Sequence, residues 1–308
     1  MPVPPSTRLR QLLAEPDRII VCPGVYDGIS ARLALRAGFA ALYMTGAGTS
    51  MSRIGMADLG LATATEMREN AEMISGLDPS IPVIADADTG YGAAINVART
   101  VAGYIRAGVA GFHLEDQVVT KRCGHLAGKE LVSKEEYLTR IRAAVKTRDR
   151  MGSDIVIIAR TDALASLGLD EAISRLTAAV DAGADVAFLE AITKREEVEA
   201  LNKAFKERAT PLMYGMVQGS KALRMTPAEA KDMGFKIIIY AALCLTPMYM
   251  AITRALDALK TTGDCETYDP EVKPHDIFDA CGMQDLLSFD REVSSARCAD
   301  VVARKGAL

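Results

Sequence analysis

Two groups of acidic residues carry the clearest chemical signal in the chain. Asp86-Ala87-Asp88-Thr89-Gly90-Tyr91-Gly92 follows the apolar run from Ile81 to Ala85, and Glu115-Asp116 follows the run around Phe112. Carboxylates in such apolar surroundings are costly unless something positive neutralises them. If the runs are strands, Asp86 and Asp88 are alternate residues that point the same way, and Glu115 joins them from the next strand. Three hard oxygen donors with room for water suit Mg²⁺, with Mn²⁺ as a substitute, and no His-rich cluster of the kind zinc prefers is present. The competing reading is that these acids cap helices or pair with lysines and arginines; their position at the ends of two successive strands favours the metal.

Lys121-Arg122-Cys123-Gly124-His125 begins six residues past Glu115. Two cations and a histidine beside a thiol lower its pKa and equip it for proton transfer. Gly124 and Gly128 allow the segment to bend as a closing lid; the alternative is an exposed basic loop with an incidental thiol. Arg160 precedes Thr161-Asp162 at the end of another run, where its guanidinium can clamp a carboxylate or enolate oxygen, or else pair with Glu190 at the end of the next. Tyr43-Met44-Thr45-Gly46-Ala47-Gly48 offers hydroxyls and small residues whose backbone amides suit an anion. His113, between Phe112 and Leu114, reads as a satisfied core histidine, and His275 as a surface one.

The elements that must position these groups announce themselves by repetition. Ala37-Gly38-Phe39, Ala107-Gly108-Val109, Ala182-Gly183-Ala184 and Met233-Gly234-Phe235 each end a helical pattern and lead into an apolar strand. With Ile19–Cys22, Ile81–Ala85, Ile155–Ala159 and Pro211–Met216, eight strands alternate with helices. The clearest helix places Leu169, Ala172, Ile173, Leu176, Ala179 and Val180 on one face, and another starts at Ser133 with Glu136 placed for a capping box. This order predicts an α/β fold, a (β/α)8 TIM barrel, with an open doubly wound sheet as the alternative. The barrel is expected over residues 1–260 and a C-terminal helical extension over 261–308.

Composition agrees with a globular protein. The 308 residues are 49% apolar and 25% charged, and 36 Lys+Arg against 40 Asp+Glu give a formal charge of −4. No run of like charges suggests nucleic acid or a membrane surface, so the expected partners are a small molecule and copies of the chain itself. Ile237 to Ile252 is interrupted by Thr246-Pro247 and too short to span a bilayer; it reads as a buried strand running into a buried helix. The six cysteines, Cys22, Cys123, Cys244, Cys265, Cys281 and Cys298, are dispersed and expected to be reduced, mostly as small buried hydrophobes. Without a secretory or peroxisomal signal at either end, a cytoplasmic location is expected.

Tyr43 to Gly48, Asp58, Asp86 to Gly92, Leu114-Glu115-Asp116-Gln117, Lys121 to His125, Arg160-Thr-Asp and Glu190 together resemble the isocitrate lyase and phosphoenolpyruvate mutase superfamily. The resemblance covers most of residues 10–260 and is closest to its 2,3-dimethylmalate lyase, 2-methylisocitrate lyase and oxaloacetate acetylhydrolase group. It implies a barrel whose last helix is exchanged between subunits in a homotetramer, a dimer of dimers. It further implies Mg²⁺ held by Asp86, directly or through water by Asp88 and Glu115, with Asp58 nearby, and a carboxylic acid substrate whose metal-binding end is surrounded by Tyr43, Thr45, Gly46 and Ala47. Cys123 is then the acid that protonates the departing carbanion, and its presence favours C–C cleavage over the mutase reaction. The candidate catalytic set is Cys123, Arg160, Tyr43, His125 and Glu190; Lys121, Arg122, Gly124, His125 and Arg160 join Tyr43 to Ala47 as substrate contacts.

Breaking C2–C3 of a 2-hydroxy acid places charge first on an alkoxide and then on an enediolate, and each has a candidate stabiliser here. The expected activity is a Mg²⁺-dependent lyase acting on a substituted 2-hydroxy dicarboxylic acid, the alternatives being an oxaloacetate acetylhydrolase-type C–C hydrolase or a non-catalytic binding protein descended from the lyases. One region departs from the pattern: Gly215 and Gln218 stand where the lyases carry an Asn and a Glu that help bind the leaving carboxylate, and Pro247 falls near a serine of the acetylhydrolases.

Overall fold

A computed structural model describes residues 3–124, 126–264 and 271–294. Eight parallel strands close into a barrel in sequence order: β1 Ile20–Val25, β2 Leu42–Met44, β3 Val83–Asp86, β4 Gly111–Glu115, β5 Val156–Thr161, β6 Val186–Leu189, β7 Leu212–Met216 and β8 Ile237–Tyr240. The register Ile20↔Ile237 joins the last strand to the first. Helices follow the strands, so the sheet is covered outside and filled inside, which is why its strands read as apolar runs rather than alternations.

Two buried clusters hold the barrel together. The outer one lies between strands and helices and includes Leu42, Phe112, Leu114, Ile157 and Leu189. The inner one fills the barrel with Ile20, Ile84, Val156, Ile158, Val186, Phe188, Met213 and Ile237. The helix Pro5–Ala14 seals its lower end: Leu9 and Leu12 are fully buried in the inner cluster, and a β-carbon at Gly111 would lie 3.0 Å from Leu9. Thr7 Oγ1 donates to Asp154 at 2.5 Å and Arg10 pairs with Asp185 at 3.0 Å, fixing the seal to the loops below β5 and β6.

Three local expectations change. Ser133 does cap the helix Lys134–Arg150 by accepting from the Glu136 N–H at 3.1 Å, but the Glu136 carboxylate turns to Arg140 at 2.7 Å, so only half of the capping box forms. The charge pair wins because an ionised donor binds the carboxylate more strongly than a backbone amide. The helix Leu245–Thr262 was expected to be buried, yet none of its residues is; Leu256 and Leu259 are exposed. Of the four described cysteines, all thiols, Cys22 is buried, Cys123 and Cys244 are half-buried and Cys281 is exposed; Cys265 and Cys298 lie outside the described residues. The chain divides into compact units Met1–Tyr249 and Met250–Leu308. The second unit contains the helices Pro274–Ala280 and Met283–Val293.

Candidate active site

Strand alternation explains which side chains meet at the top of the barrel. Ile84, Ile158, Phe188 and Met213 fill its interior, so the residues two places further along, Asp86, Arg160, Glu190 and Gly215, face inward one layer higher. His113 and Glu115 alternate on β4 in the same way. A polar layer therefore rests directly on the apolar filling.

Asp86 is the hub of this layer. Its Oδ1 accepts from the Asp88 N–H at 2.9 Å and lies 3.5 Å from His113 Nδ1, while Tyr43 Oη is 3.5 Å from Oδ2 and 2.9 Å from His113 Nε2. Burial pushes the Tyr43 phenol well above its ordinary range, with Asp86 adding to the effect, and burial pushes His113 down to about 4. Tyr43 is thus a neutral hydrogen-bonding group at pH 7 and His113 a neutral imidazole. Thr45 caps the helix Gly46–Ile54, whose positive end faces the acid; Gly46 lies so close that its β-carbon would be 2.8 Å from Asp86 Cγ.

Asp88 joins the cluster by a route different from strand alternation. β3 ends at Asp86, and Asp88 lies beyond it in the left-handed region at φ 45°, its carbonyl accepting from the Glu115 N–H at 2.9 Å. Burial, against the pull of Lys121 and with Asp86 and Asp58 beside it, pushes Asp88 up to about 6. The Lys121 ammonium, itself buried, pairs with Asp88 at 2.6 Å and with Asp58. Burial works against that charge, but Asp88, Glu115 and Asp58 outweigh it.

The donor chemistry suits a hard divalent cation. The side chains of Asp58, Asp86, Asp88, Glu115, Asp162 and Glu190 are buried oxygen donors, facing the buried cations Lys121, Lys129 and Arg160, so acid exceeds base. Glu115 Oε2 accepts no hydrogen bond, although Arg160 lies 3.3 Å away, and burial raises its pKa strongly. The acids do not form a ready-made cage: among the described residues no three His, Cys, Asp or Glu side chains are gathered tightly enough to hold an ion, with Lys121 standing between Asp58 and Asp88.

Arg160 is held in place by the protein's own groups. It makes two bonds to Asp162, at 3.0 and 3.2 Å, and lies 5.6 Å above the Phe188 ring, whereas Glu190 is 4.0 Å away. The expected pairing with Glu190 is therefore secondary to Asp162. The loop carrying Cys123 folds down onto this group: a β-carbon at Gly124 would lie 2.5 Å from Glu190 Oε1 and 2.6 Å from Arg160 Nη2. The result is a cavity of about 190 Å³ that brings together Tyr43, Thr45, Ala47, Asp58, Asp86, Cys123, Gly124, Arg160 and Glu190.

Several expected residues lie elsewhere. Arg122 is exposed and reaches the site only through its backbone, Lys121 is spent among the acids, and His125 lies outside the described residues. Gly215 lines the cavity but Gln218 does not, and Pro247 is exposed in the first turn of the helix Leu245–Thr262. His113, read as core, is buried but touches the acid cluster. The signal was its spacing of two from Glu115 on one strand. Nothing in the sequence marked Lys129, whose ammonium donates to Asp162 at 2.8 Å and to the Gly124 carbonyl at 2.7 Å.

The family model described as phosphoenolpyruvate phosphomutase matches residues 9–260. The chain is 38% identical to the 2,3-dimethylmalate lyase of Eubacterium barkeri, over 95% of this chain and 99% of that one. Among solved structures, oxaloacetate acetylhydrolase with the inhibitor 3,3-difluorooxalacetate superposes at TM-score 0.92 with 50% identity, covering 96% of this chain and 99% of the other. A 2,3-dimethylmalate lyase superposes at 0.90 with 54% identity, covering 96% and 97%. More distantly, phosphonopyruvate hydrolase in complex with oxalate and Mg²⁺ superposes at 0.82 with 27% identity, covering 94% and 99%. Barrel, acid cluster and sequence agree: the chain is an enzyme of the phosphoenolpyruvate mutase/isocitrate lyase superfamily.

Proposed function

We propose that the enzyme is a Mg²⁺-dependent lyase that cleaves C2–C3 of a substituted malate-like 2-hydroxy acid, in the class that holds 2,3-dimethylmalate and 2-methylisocitrate, to a 2-keto acid and a second carboxylate. The observation that carries this reading is the closure of the Cys123–Gly124 segment over Asp86, Arg160 and Glu190 in one cavity. Asp86, Asp88, Glu115 and Asp58 are the residues that would hold Mg²⁺, with Mn²⁺ as a substitute. When bound, the ion supplies electrophilic stabilisation to a developing alkoxide.

The chain's own groups account for the remaining steps. Tyr43, neutral and anchored on His113, and the amide end of the helix Gly46–Ile54 orient the acid's metal-binding end. As C2–C3 breaks, the hydroxyl proton passes to a carboxylate of the cavity lining, the C2 oxygen becomes a ketone, and the bonding pair remains on C3 as an enediolate of the departing carboxylate. Arg160, preorganised by Asp162, offsets the negative charge, and Cys123 delivers a proton to C3. The closed loop excludes the water that would intercept the intermediate.

The far wall of the cavity defines the substrate's other end. Phe188, Gly215, Val217, Ile239, Ala241 and Leu245 line it, an apolar surface suited to an alkyl branch rather than a third carboxylate. This favours alkylated malates over tricarboxylates. Incubation with a panel of 2-hydroxy di- and tricarboxylates plus oxaloacetate, with Mg²⁺ and a 2-keto acid trap, tests the assignment. A keto acid from an alkylated malate supports it; acetate and oxalate formed only from oxaloacetate would instead assign a hydrolase.

The same reading includes a homotetramer, a dimer of dimers exchanging the C-terminal helices. Exposed Leu256, Leu259, Leu286 and Phe289 on those helices support it. The measured mass in solution tests it, a monomer at micromolar concentration counting against it. Thiols at the four described cysteines fit the reducing cytoplasm, and among the described residues no helix is long and apolar enough to cross a membrane.

A further inference from the structure

The segment between Asp116 and Val132 leaves the barrel at the end of β4 and returns to it. Its stems meet in an antiparallel bridge between Gln117 and Leu131, with the Val118 N–H donating to the Glu130 carbonyl and the Val132 N–H to the Asp116 carbonyl, both at 2.9 Å. Between the stems, the main chain on each side of Cys123 is gripped by a side chain.

On the N-terminal side the grip is the fully buried Gln117. Its Oε1 accepts from the Arg122 N–H at 3.0 Å and its Nε2 donates to the Arg122 carbonyl at 2.9 Å, a reciprocal pairing like that of a neighbouring strand. Nε2 also lies 3.1 Å from Glu115 Oε1, which ties the loop to the acid cluster. On the C-terminal side the grip is Lys129, whose side chain is 5% exposed and donates to the Gly124 carbonyl and to Asp162. Asp162 carries the Arg160 guanidinium on the same carboxylate. Burial opposes the Asp162 charge, yet Arg160 and Lys129 outweigh it and hold the acid at about 2, so the link is ionic throughout the working pH range.

Neither Gln117 nor Lys129 lines the cavity, whereas Cys123, Gly124 and Arg160 do. We propose that Gln117 and Lys129 are positioning residues that fix the Cys123 segment over the cleft, Gln117 as the hinge pin at Arg122 and Lys129 as the latch joining Gly124 to the Arg160–Asp162 pair. The catalytic part of this proposal rests on reading Cys123 as the proton donor. A donor displaced by about 1 Å loses on the order of a hundredfold in rate, so a latch that never touches substrate still governs turnover.

The test uses the full-length enzyme without substrate, treated with iodoacetamide, with Cys123 modification followed by peptide mass spectrometry. In Lys129→Met, Cys123 alkylation is expected to rise about tenfold or more while kcat falls about a hundredfold with KM changed far less. Loss of a nearby cation would by itself slow alkylation, so the direction separates loop opening from a charge effect. Lys129→Arg, which keeps the donors and the charge, is expected to restore most of the protection. A folded Lys129→Met alkylated within about twofold of wild type overturns the latch. Should that variant fail to fold, hydrogen exchange on the wild-type enzyme decides: the Arg122 amide is expected to exchange with the slow barrel amides, and exchange at the rate of an open loop overturns the proposal. If Cys123→Ser retains full turnover, the proton-donor reading fails while the alkylation and exchange results still stand.

Discussion

The α-carbon of Gly46 abuts the carboxylate of Asp86, leaving no room for a side chain between the first turn of one helix and the end of β3. Gly46→Ala must displace either the acid or the helix. Because neighbours that orient a metal ligand typically govern affinity by about 10–100-fold, Mn²⁺ or Mg²⁺ binding followed by calorimetry is expected to weaken at least that much. Asp86→Ala or Glu115→Ala, and metal-stripped enzyme in excess EDTA, are expected to be inactive. Full turnover in EDTA would rule out the metal assignment.

Cys123→Ser is expected to fold normally and bind a substrate-like acid but to lose about a hundredfold or more in kcat, the range assigned to a positioned general acid. A hydroxyl is a far weaker proton donor than a thiol. Steady-state rates alongside inhibitor affinity check it; unchanged kcat would reduce Cys123 to a structural residue.

Gly215 opens the cavity wall beside Phe188 and Glu190, and a β-carbon there would meet the Phe188 ring edge at 3.0 Å. Gly215→Asn therefore has to shift Phe188 by a few tenths of an ångström. It is expected to raise kcat/KM for 2-methylisocitrate by roughly 10–100-fold relative to alkylated malates, because a charge-assisted hydrogen bond to the extra carboxylate is worth about 1.5–3 kcal/mol. Efficient wild-type cleavage of the tricarboxylate, with no gain in the variant, would refute the apolar-branch reading.

Asp116 joins three elements beneath the site. It accepts from Thr161 Oγ1 at 2.5 Å, from the Asp162 N–H at 2.9 Å and from Arg175 at 3.1 Å, and it is fully buried. Asp116→Ala leaves the Arg175 charge with its main buried partner gone, and is expected to cost about 3–5 kcal/mol in denaturant unfolding. A loss below about 1 kcal/mol would show that Glu171 and the Val132 carbonyl suffice to hold Arg175.

The barrel was legible because a parallel sheet buried on both faces must be apolar along its whole length, and each Gly-punctuated run supplied a strand. Asp86, Glu115, Arg160 and Glu190 were legible for the complementary reason: a charge directly behind such a run belongs to the open end. His113 was legible as a buried histidine, but its place beside the acids was not: Phe112 and Leu114, its neighbours in sequence, face the outer core, while it shares the inner face with Glu115. Lys129 left no trace in the sequence, and Gln117 stood in a motif without showing what its carboxamide binds, since both grip loop main-chain atoms whose position only the folded loop defines. The helix Leu245–Thr262 looked buried because composition records that a surface is apolar but not which surface covers it.

The β1–β8 pairing has a consequence for synthesis. Ile20 finds Ile237 only after roughly two hundred further residues have been made, so on a ribosome adding about 5–20 residues per second one edge of the first strand waits some ten to forty seconds for its neighbour. Until then the growing polypeptide presents an open, apolar sheet edge, the surface most prone to pair with another chain. Expression yield should accordingly depend on translation speed and chaperone supply more than on the stability of the finished enzyme, and truncations that remove β8 should accumulate as aggregates rather than as smaller folded barrels.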